Sequence, residues 1–212
     1  PRPTTSPHPG PLALGLDAGS TTVKAVALTE AGAVVASAYR RAGGNVFEDA
    51  SAVLKELALA LGPRAVQVGS LGVTGYAAEL LGPLLDADCT VVETLAHARS
   101  ALHFVPEVQV VCDVGGQDIK VLLLDGPQVR DFKLSHQCAA GNGALLEATA
   151  DSLGIGLEEI AQVTSRAQRV PRFGIGCAVF LDTERVTAQR DGMQPPEILA
   201  GITAALPRII WE

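Results

Sequence analysis

The chain has 212 residues, 48% of them hydrophobic, and a formal net charge of −7 at pH 7, which is enough for a sizeable core and argues against general disorder. The acidic balance disfavours a nucleic-acid partner, because proteins that bind DNA or RNA normally present a basic surface. No apolar stretch approaches the roughly 18–20 residues that span a bilayer and the start lacks a secretory signal, so we expect a cytoplasmic protein without a membrane partner.

The first half of the chain alternates strands and helices after a proline-rich start. Residues 1–11 are poor in apolar side chains and predict a disordered tail or linker. Residues 12–16, 22–28 and 33–40 predict three strands in an antiparallel meander. Apolar residues at helical spacing from Phe47 to Leu61 predict a helix over one sheet face. Short strands at 66–73 and 90–92 and a helix at 94–104 complete a mixed sheet with helices.

One short pattern then occurs a second time. Residues 17–24 read Asp-Ala-Gly-Ser-Thr-Thr-Val-Lys and residues 113–120 read Asp-Val-Gly-Gly-Gln-Asp-Ile-Lys, so both fit the frame D-x-G-x-x-x-[V/I]-K. Each copy follows one apolar strand and leads into another. The recurrence predicts two related lobes, residues 12–107 and 108–212.

The second half continues with a strand at 129–134 and a glycine-rich turn at 141–143. Helical patterns follow at 144–153, 157–166, 182–190 and 197–210. The final Ile-Ile-Trp-Glu carries no helix stop signal, so we expect a second lobe that is incomplete at its C-terminus and a chain that is part of a longer protein.

Both repeated turns contain the residue types that bind phosphate and magnesium. Glycines let backbone N–H groups approach a phosphate, while hydroxyls and lysines add donors and positive charge. The candidate phosphate-binding residues are Gly19, Ser20, Thr21, Thr22, Lys24, Gly115, Gly116, Lys120, Gly141 and Gly143. Asp17 and Asp113, at the head of each turn, suit a hydrated Mg²⁺. Gln117 and Asp118 are candidates to orient the water that attacks the terminal phosphate.

A plainer interpretation of each copy is an ordinary hairpin turn, since Asp, Gly, Ser and Thr are the residues that turns require. Two copies at equivalent places in a repeated pattern favour a two-lobed nucleotide clamp over two unrelated turns.

The two turns resemble the paired phosphate loops of the sugar kinase, Hsp70 and actin superfamily, which implies an α/β, actin-like (ribonuclease H-like) ATPase fold. Residues 113–118 are similar to the second phosphate loop of the activators of 2-hydroxyacyl-CoA dehydratases and benzoyl-CoA reductases, and residues 74–76 and 93–99 also resemble segments of that family. The likeness covers nearly everything from Leu12 to the end of the chain. Asn142 departs from it, because threonine is usual there, and no glycine-rich adenosine-binding segment occurs.

Two of the four cysteines stand in glycine-rich or small-residue sequence ahead of predicted helices. Cys138 begins Cys-Ala-Ala-Gly-Asn-Gly and Cys177 lies in Gly-Ile-Gly-Cys-Ala-Val-Phe. Small neighbours admit an inorganic cluster, and a helix N-terminus stabilises its negative charge. Buried hydrophobic side chains or a disulfide are the alternatives. Cys89 and Cys112 lie in apolar strand-like sequence, where we expect core positions.

A [4Fe-4S] cluster normally takes four thiolates, and Cys138 and Cys177 supply two. A homodimer would supply the other two, which agrees with the activator family, whose members share one cluster between two subunits. The resemblance implies ATP-driven electron transfer from a reduced ferredoxin or flavodoxin to an iron–sulfur dehydratase or reductase that acts on a CoA thioester. Two alternatives are a small-molecule kinase of the same superfamily without a cluster and a non-catalytic actin-like scaffold.

Overall fold

The structure is a computed structural model that describes residues 10–116, 118–134, 143–174 and 178–211. The chain forms two compact units, Pro1–Ser100 and Ala101–Glu212. Within the described ranges no helix combines the length and the apolar character that a membrane crossing requires.

The first unit is built on a five-stranded sheet. The strands are β1 (Leu12–Ala18), β2 (Thr22–Leu28), β3 (Val34–Arg41), β4 (Val68–Thr74) and β5 (Cys89–Thr90), and they lie in the order β3-β2-β1-β4-β5. β1, β2 and β3 pair antiparallel, while β4 runs parallel to β1 and β5 runs parallel to β4. The predicted antiparallel meander is confirmed.

Helix α1 (Val46–Leu61) covers one face of this sheet, as its apolar spacing predicted. Asn45 starts the helix, because its Oδ1 accepts hydrogen bonds from the N–H groups of Phe47 (3.2 Å) and Glu48 (3.4 Å). Val53 and Leu57 are fully buried against residues of β1 and β2. A 3₁₀ helix, Gly62–Gln67, follows α1; residues 66 and 67 were predicted to begin a strand, which instead starts at Val68.

Two further helices follow, one that connects β4 to β5 and one that comes after β5. α2 (Ala78–Leu84) was not predicted, because it contains Gly82 and Pro83, both of which are usual helix breakers. It forms here because Leu81 is buried in the core of the unit. α3 (Glu93–Phe104) agrees closely with the predicted helix at 94–104.

The second unit contains a three-stranded antiparallel sheet and four α-helices within the described residues. The strands are β6 (Val110–Val114), β7 (Ile119–Asp125) and β8 (Gln128–Leu134), in the order β6-β7-β8. The helices are α4 (Gly143–Ser152), α5 (Ile160–Thr164), α6 (Ala178–Arg190) and α7 (Pro195–Trp211). Phe173, Leu181, Ile198 and Ile202 belong to a core cluster between these elements.

Two helix boundaries differ from the sequence prediction. The helix expected at 157–166 is a short 3₁₀ helix, Leu157–Glu159, followed by α5. The Glu159 carboxylate accepts a hydrogen bond from the Gly156 N–H (2.9 Å) and so tightens the first turn. α6 begins at Ala178, ahead of the predicted start at 182.

β8 lies at one edge of the three-stranded sheet. Its exposed residues include Arg130, Asp131 and Lys133. The Asp131 carboxylate also accepts a hydrogen bond from the N–H of Phe132 (2.8 Å), so charged side chains of both signs line this strand.

Candidate functional site

The first repeated turn connects β1 to β2 and is closed by a backbone hydrogen bond. The Gly19 N–H donates to the carbonyl oxygen of Thr22 at 3.1 Å. A Cβ at position 19 would lie 2.8 Å from that oxygen, so the turn requires glycine here. Ser20 and Thr21 are exposed, which leaves their hydroxyl groups accessible to a ligand.

Gly75, in the turn after β4, packs directly on this first turn. Its φ is +93°, and a Cβ there would lie 2.5 Å from Asp17 Oδ1 and 2.7 Å from the carbonyl carbon and oxygen of Ala18. The N–H of Ala77 donates to the same Ala18 oxygen at 3.1 Å. Sequence reasoning noted Thr-Gly-Tyr at 74–76 only as a family-like segment; the structure gives Gly75 a role in fixing Asp17.

Asp17 and Lys24 lie directly opposite each other on β1 and β2. The Lys24 Nζ is 3.0 Å from Asp17 Oδ2, and the lysine side chain is 46% exposed against 23% for the aspartate. The other carboxylate oxygen, Oδ1, is buried and has no hydrogen-bond partner among the described residues. The oxygen that a cation could reach is therefore Oδ2, which Lys24 contacts, and the magnesium role of Asp17 stays a prediction.

An open cavity of about 600 Å³ lies beside this pair on a face of the first sheet. Most of the cavity surface is apolar. Its lining also includes the backbone of Gly15 and Gly72 and the polar side chains of Asp17, Lys24, Ser37, Tyr39, Thr74 and Arg99. The Lys24 ammonium therefore has room to move away from Asp17.

The second repeated turn, between β6 and β7, has the same construction. The Gly115 N–H donates to the carbonyl oxygen of Asp118 at 2.9 Å, the equivalent of the bond that closes the first turn. Asp113 and Lys120 are again directly opposite on paired strands. The Lys120 Nζ lies 3.0 Å from Asp118 Oδ2 and 3.9 Å from Asp113 Oδ2. Gln117 lies outside the described residues.

The N-terminus of α4 contacts this second turn. The Gly143 N–H donates to the Gly115 carbonyl at 3.1 Å, and the Ala144 N–H donates to the Gly116 carbonyl at 3.4 Å. A Cβ at Gly143 would lie 3.0 Å from the Gly115 oxygen. These two N–H groups hold the second turn, so at this end of α4 an anion would interact with the helix dipole and not with these donors. Gly141, also predicted to bind phosphate, lies outside the described residues.

Two of the four cysteines lie within the described residues and two lie outside them. Cys138 and Cys177 lie outside the described residues, although α6 begins at Ala178, immediately after Cys177. The expectation that Cys89 and Cys112 are core residues is wrong, since both are free and exposed. Cys89 belongs to the two-residue edge strand β5, and Cys112 belongs to β6, an edge of the three-stranded sheet. Apolar strand sequence does not show which strands are covered.

The chain segment that leads to Cys177 is attached to α6 and α7. Arg169 forms a two-point ion pair with Glu197, with Nε–Oε1 at 2.9 Å and Nη2–Oε2 at 3.3 Å. The Gly174 N–H donates to Glu184 at 2.7 Å, and Arg208 donates to the Phe173 carbonyl at 2.9 Å. The hydrogen bond from Arg169, with a backbone bond from Gln194, holds the pKa of the Glu197 carboxyl below its usual range.

These features define a class of protein. The mixed sheet of the first unit, together with two hairpin turns of the same construction that each present an aspartate and a lysine, is that of an actin-like ATPase, as the sequence predicted. The chain belongs to the BadF/BadG/BcrA/BcrD ATPase family, whose sequence profile matches residues 14–212.

The relatives agree with this family. A 2-hydroxyisocaproyl-CoA dehydratase activator from Clostridioides difficile is 30% identical over 196 residues, which are 92% of this chain and 72% of the relative. The structure of such an activator, from Clostridium difficile with bound ADPNP, superposes with a TM-score of 0.86 over 94% of this chain and 74% of that one, at 30% identity. Component A of the Acidaminococcus fermentans (R)-2-hydroxyglutaryl-CoA dehydratase gives a TM-score of 0.85 over 95% and 77%, at 26% identity.

Proposed function

We propose that this chain is an ATP-dependent iron–sulfur activator that delivers an electron to a 2-hydroxyacyl-CoA dehydratase or a related CoA-thioester reductase. The observation that carries the proposal is the pair of hairpins with equivalent closing hydrogen bonds and an aspartate directly opposite a lysine. The activator relatives, one of them bound to the ATP analogue ADPNP, support the choice of nucleotide and of partner.

The phosphate loops provide distinct groups for Mg²⁺-ATP. In the first loop, Ser20, Thr21 and Thr22 offer hydroxyl donors, and Lys24 offers a cation. Gly19 shapes the loop, because its own N–H closes the turn. In the second loop, Gly115, Gly116 and Lys120 act together with the N-terminus of α4 at Gly143.

Four residues have proposed catalytic roles. Asp17 and Asp113 accept hydrogen bonds from the waters of the magnesium ion or bind it directly. Gln117 and Asp118 orient the attacking water.

Cys138 and Cys177 are the proposed ligands of a [4Fe-4S] cluster shared by two subunits of a homodimer. A bound cluster would supply one-electron transfer, with reduced ferredoxin or flavodoxin as the donor. Two features support the assignment: α6 starts directly after Cys177, and residues 169–174 ahead of it are bonded to α6 and α7. Helix N-termini stabilise thiolates and negatively charged clusters.

Anaerobic purification with iron, sulfide and absorbance analysis tests the cluster. We expect a brown dimer with about four iron ions, and loss of iron in Cys138→Ser and in Cys177→Ser. Cys89→Ser is the matched control, because Cys89 is exposed and outside the proposed ligand set, and it should keep its iron.

An activation assay tests the electron transfer. The protein, with reduced ferredoxin and ATP, should activate an oxidised 2-hydroxyacyl-CoA dehydratase, and omission of ATP should abolish activation. Colourless, iron-free protein after anaerobic reconstitution contradicts the proposal. In that case phosphorylation of a metabolite would identify the kinase alternative, and absence of ATPase activity the scaffold.

A further inference from the structure

In each phosphate loop a lysine lies opposite the aspartate that is proposed to interact with the metal ion. Asp17 and Lys24 are seven residues apart, and the hairpin between them makes them direct cross-strand partners. Asp113 and Lys120 repeat the arrangement. Cross-strand neighbours of opposite charge attract each other, so the frame D-x-G-x-x-x-[V/I]-K places a lysine opposite an aspartate in each loop. In the second loop Lys120 lies closer to Asp118 (3.0 Å) than to Asp113 (3.9 Å), so the close pair of frame residues belongs to the first loop.

The Asp17 carboxylate is held in a fixed orientation. Its Oδ1 faces Gly75, where a Cβ would approach to 2.5 Å, and its Oδ2 meets the Lys24 Nζ at 3.0 Å. One oxygen is thus packed against backbone, and the other is neutralised by an ammonium group. Rotation of the carboxylate away from the loop would give up the ion pair with Lys24.

The Asp17–Lys24 pair is also easy to displace. The lysine is 46% exposed, and ion pairs with such access to water contribute little to stability. The cavity beside the pair gives the lysine side chain space to move. A divalent cation would compete with the ammonium for the same carboxylate, while the phosphates of a nucleotide would attract it.

We propose that Lys24 is the resident counter-ion of Asp17: it holds the carboxylate in its metal-binding orientation and transfers to a phosphate group when Mg²⁺-nucleotide binds. Lys24 is a positioning residue in this scheme, which rests on the proposed binding of Mg²⁺-ATP. Removal of the lysine should strengthen the binding of a divalent cation, because the carboxylate loses a competing cation. It should weaken the binding of Mg²⁺-nucleotide, because the phosphate loses a partner.

The test measures Mn²⁺ alone and Mg²⁺-ADP separately. Free Mn²⁺ is followed by electron paramagnetic resonance, and ADP binding is followed by calorimetry, both on the whole chain. In Lys24→Met we expect Mn²⁺ to bind about three- to tenfold more tightly and Mg²⁺-ADP more weakly. Asp17→Asn should lose this Mn²⁺ site.

Two controls separate charge from packing. Lys55→Met removes an exposed lysine of α1 and should change neither affinity. Lys24→Arg keeps the charge and should leave Mn²⁺ affinity within about twofold of wild type. If Lys24→Met does not fold, Lys24→Gln provides the same comparison.

The outcomes distinguish this inference from the proposed function. Unchanged or weaker Mn²⁺ binding in the Lys24 variants, with Mg²⁺-ADP binding intact in the wild type, overturns the counter-ion role and leaves the proposed function standing. Tighter Mn²⁺ binding in Lys24→Met supports it. A wild type that binds Mn²⁺ but no Mg²⁺-ADP overturns the transfer of Lys24 to phosphate, whereas the proposed function is refuted separately by the iron analysis and the activation assay.

Discussion

Replacing Gly75 with alanine should destabilise the first unit by about 2–5 kcal/mol. A backbone φ of +93° costs an alanine about 1–2 kcal/mol. The new Cβ would also lie 2.5 Å from Asp17 Oδ1 and 2.7 Å from the Ala18 carbonyl. Relief of such a contact by shifts in backbone or side chains typically costs about 1–3 kcal/mol.

Gly44→Ala is a matched control for this substitution. Gly44 has a φ of +91°, and nothing lies within 4 Å of the point that a Cβ would occupy there. It therefore incurs the backbone cost without the contact. The difference between the two variants, about 1–3 kcal/mol, isolates the packing of Gly75 on the first phosphate loop.

Urea denaturation followed by circular dichroism measures this difference. We also expect Gly75→Ala to weaken Mg²⁺-ADP binding, because Asp17 must move. A Gly75→Ala protein as stable as Gly44→Ala would refute the reasoning.

Two further predictions concern the hydrophobic core and the dependence of the free energy of unfolding on pH in the acid range. Leu57 is 1% exposed, so Leu57→Ala should lower the free energy of unfolding by about 2–5 kcal/mol. Leu59 is 82% exposed, so Leu59→Ala should change it by no more than about 0.5 kcal/mol. Equal urea midpoints for the two variants would contradict this prediction. The pKa of Glu197 is lowered from 4.5, so its contribution is present above that pH and is lost as the pH falls through the folded-state pKa. In Glu197→Gln the free energy of unfolding should fall less steeply as the pH is lowered. The same pH dependence in the variant and the wild type would argue against this role of Glu197.

Local chemistry allowed much of the fold to be predicted. Both hairpin turns are specified by closely spaced Asp and Gly residues, with hydroxyl residues added in the first turn. Helix α1 is specified by apolar residues at helical spacing that end at Gly62. α2 was missed because Gly82 and Pro83 disfavour a helix locally, and burial of Leu81 outweighs that preference. Tertiary packing decided the outcome there.

In the candidate site, too, contacts between residues far apart in sequence could not be predicted. The aspartate and glycine of each loop could be read from the repeated frame, because they are close in sequence. Gly75 could not, since its contact with Asp17 and Ala18 depends on the parallel pairing of β4 with β1. The exposure of Cys89 likewise depends on the position of β5 at the sheet edge. Sequence periodicity carries no information on which strand is outermost.

The charged edge strand β8 has a consequence for the behaviour of the chain at high concentration. An edge strand offers unpaired backbone groups to which a second molecule could add a strand and so begin a fibril. Arg130, Asp131 and Lys133 would have to lose hydration in any such stack, and identical copies would place like charges side by side. The charges of β8 therefore oppose self-association through this one edge of the sheet.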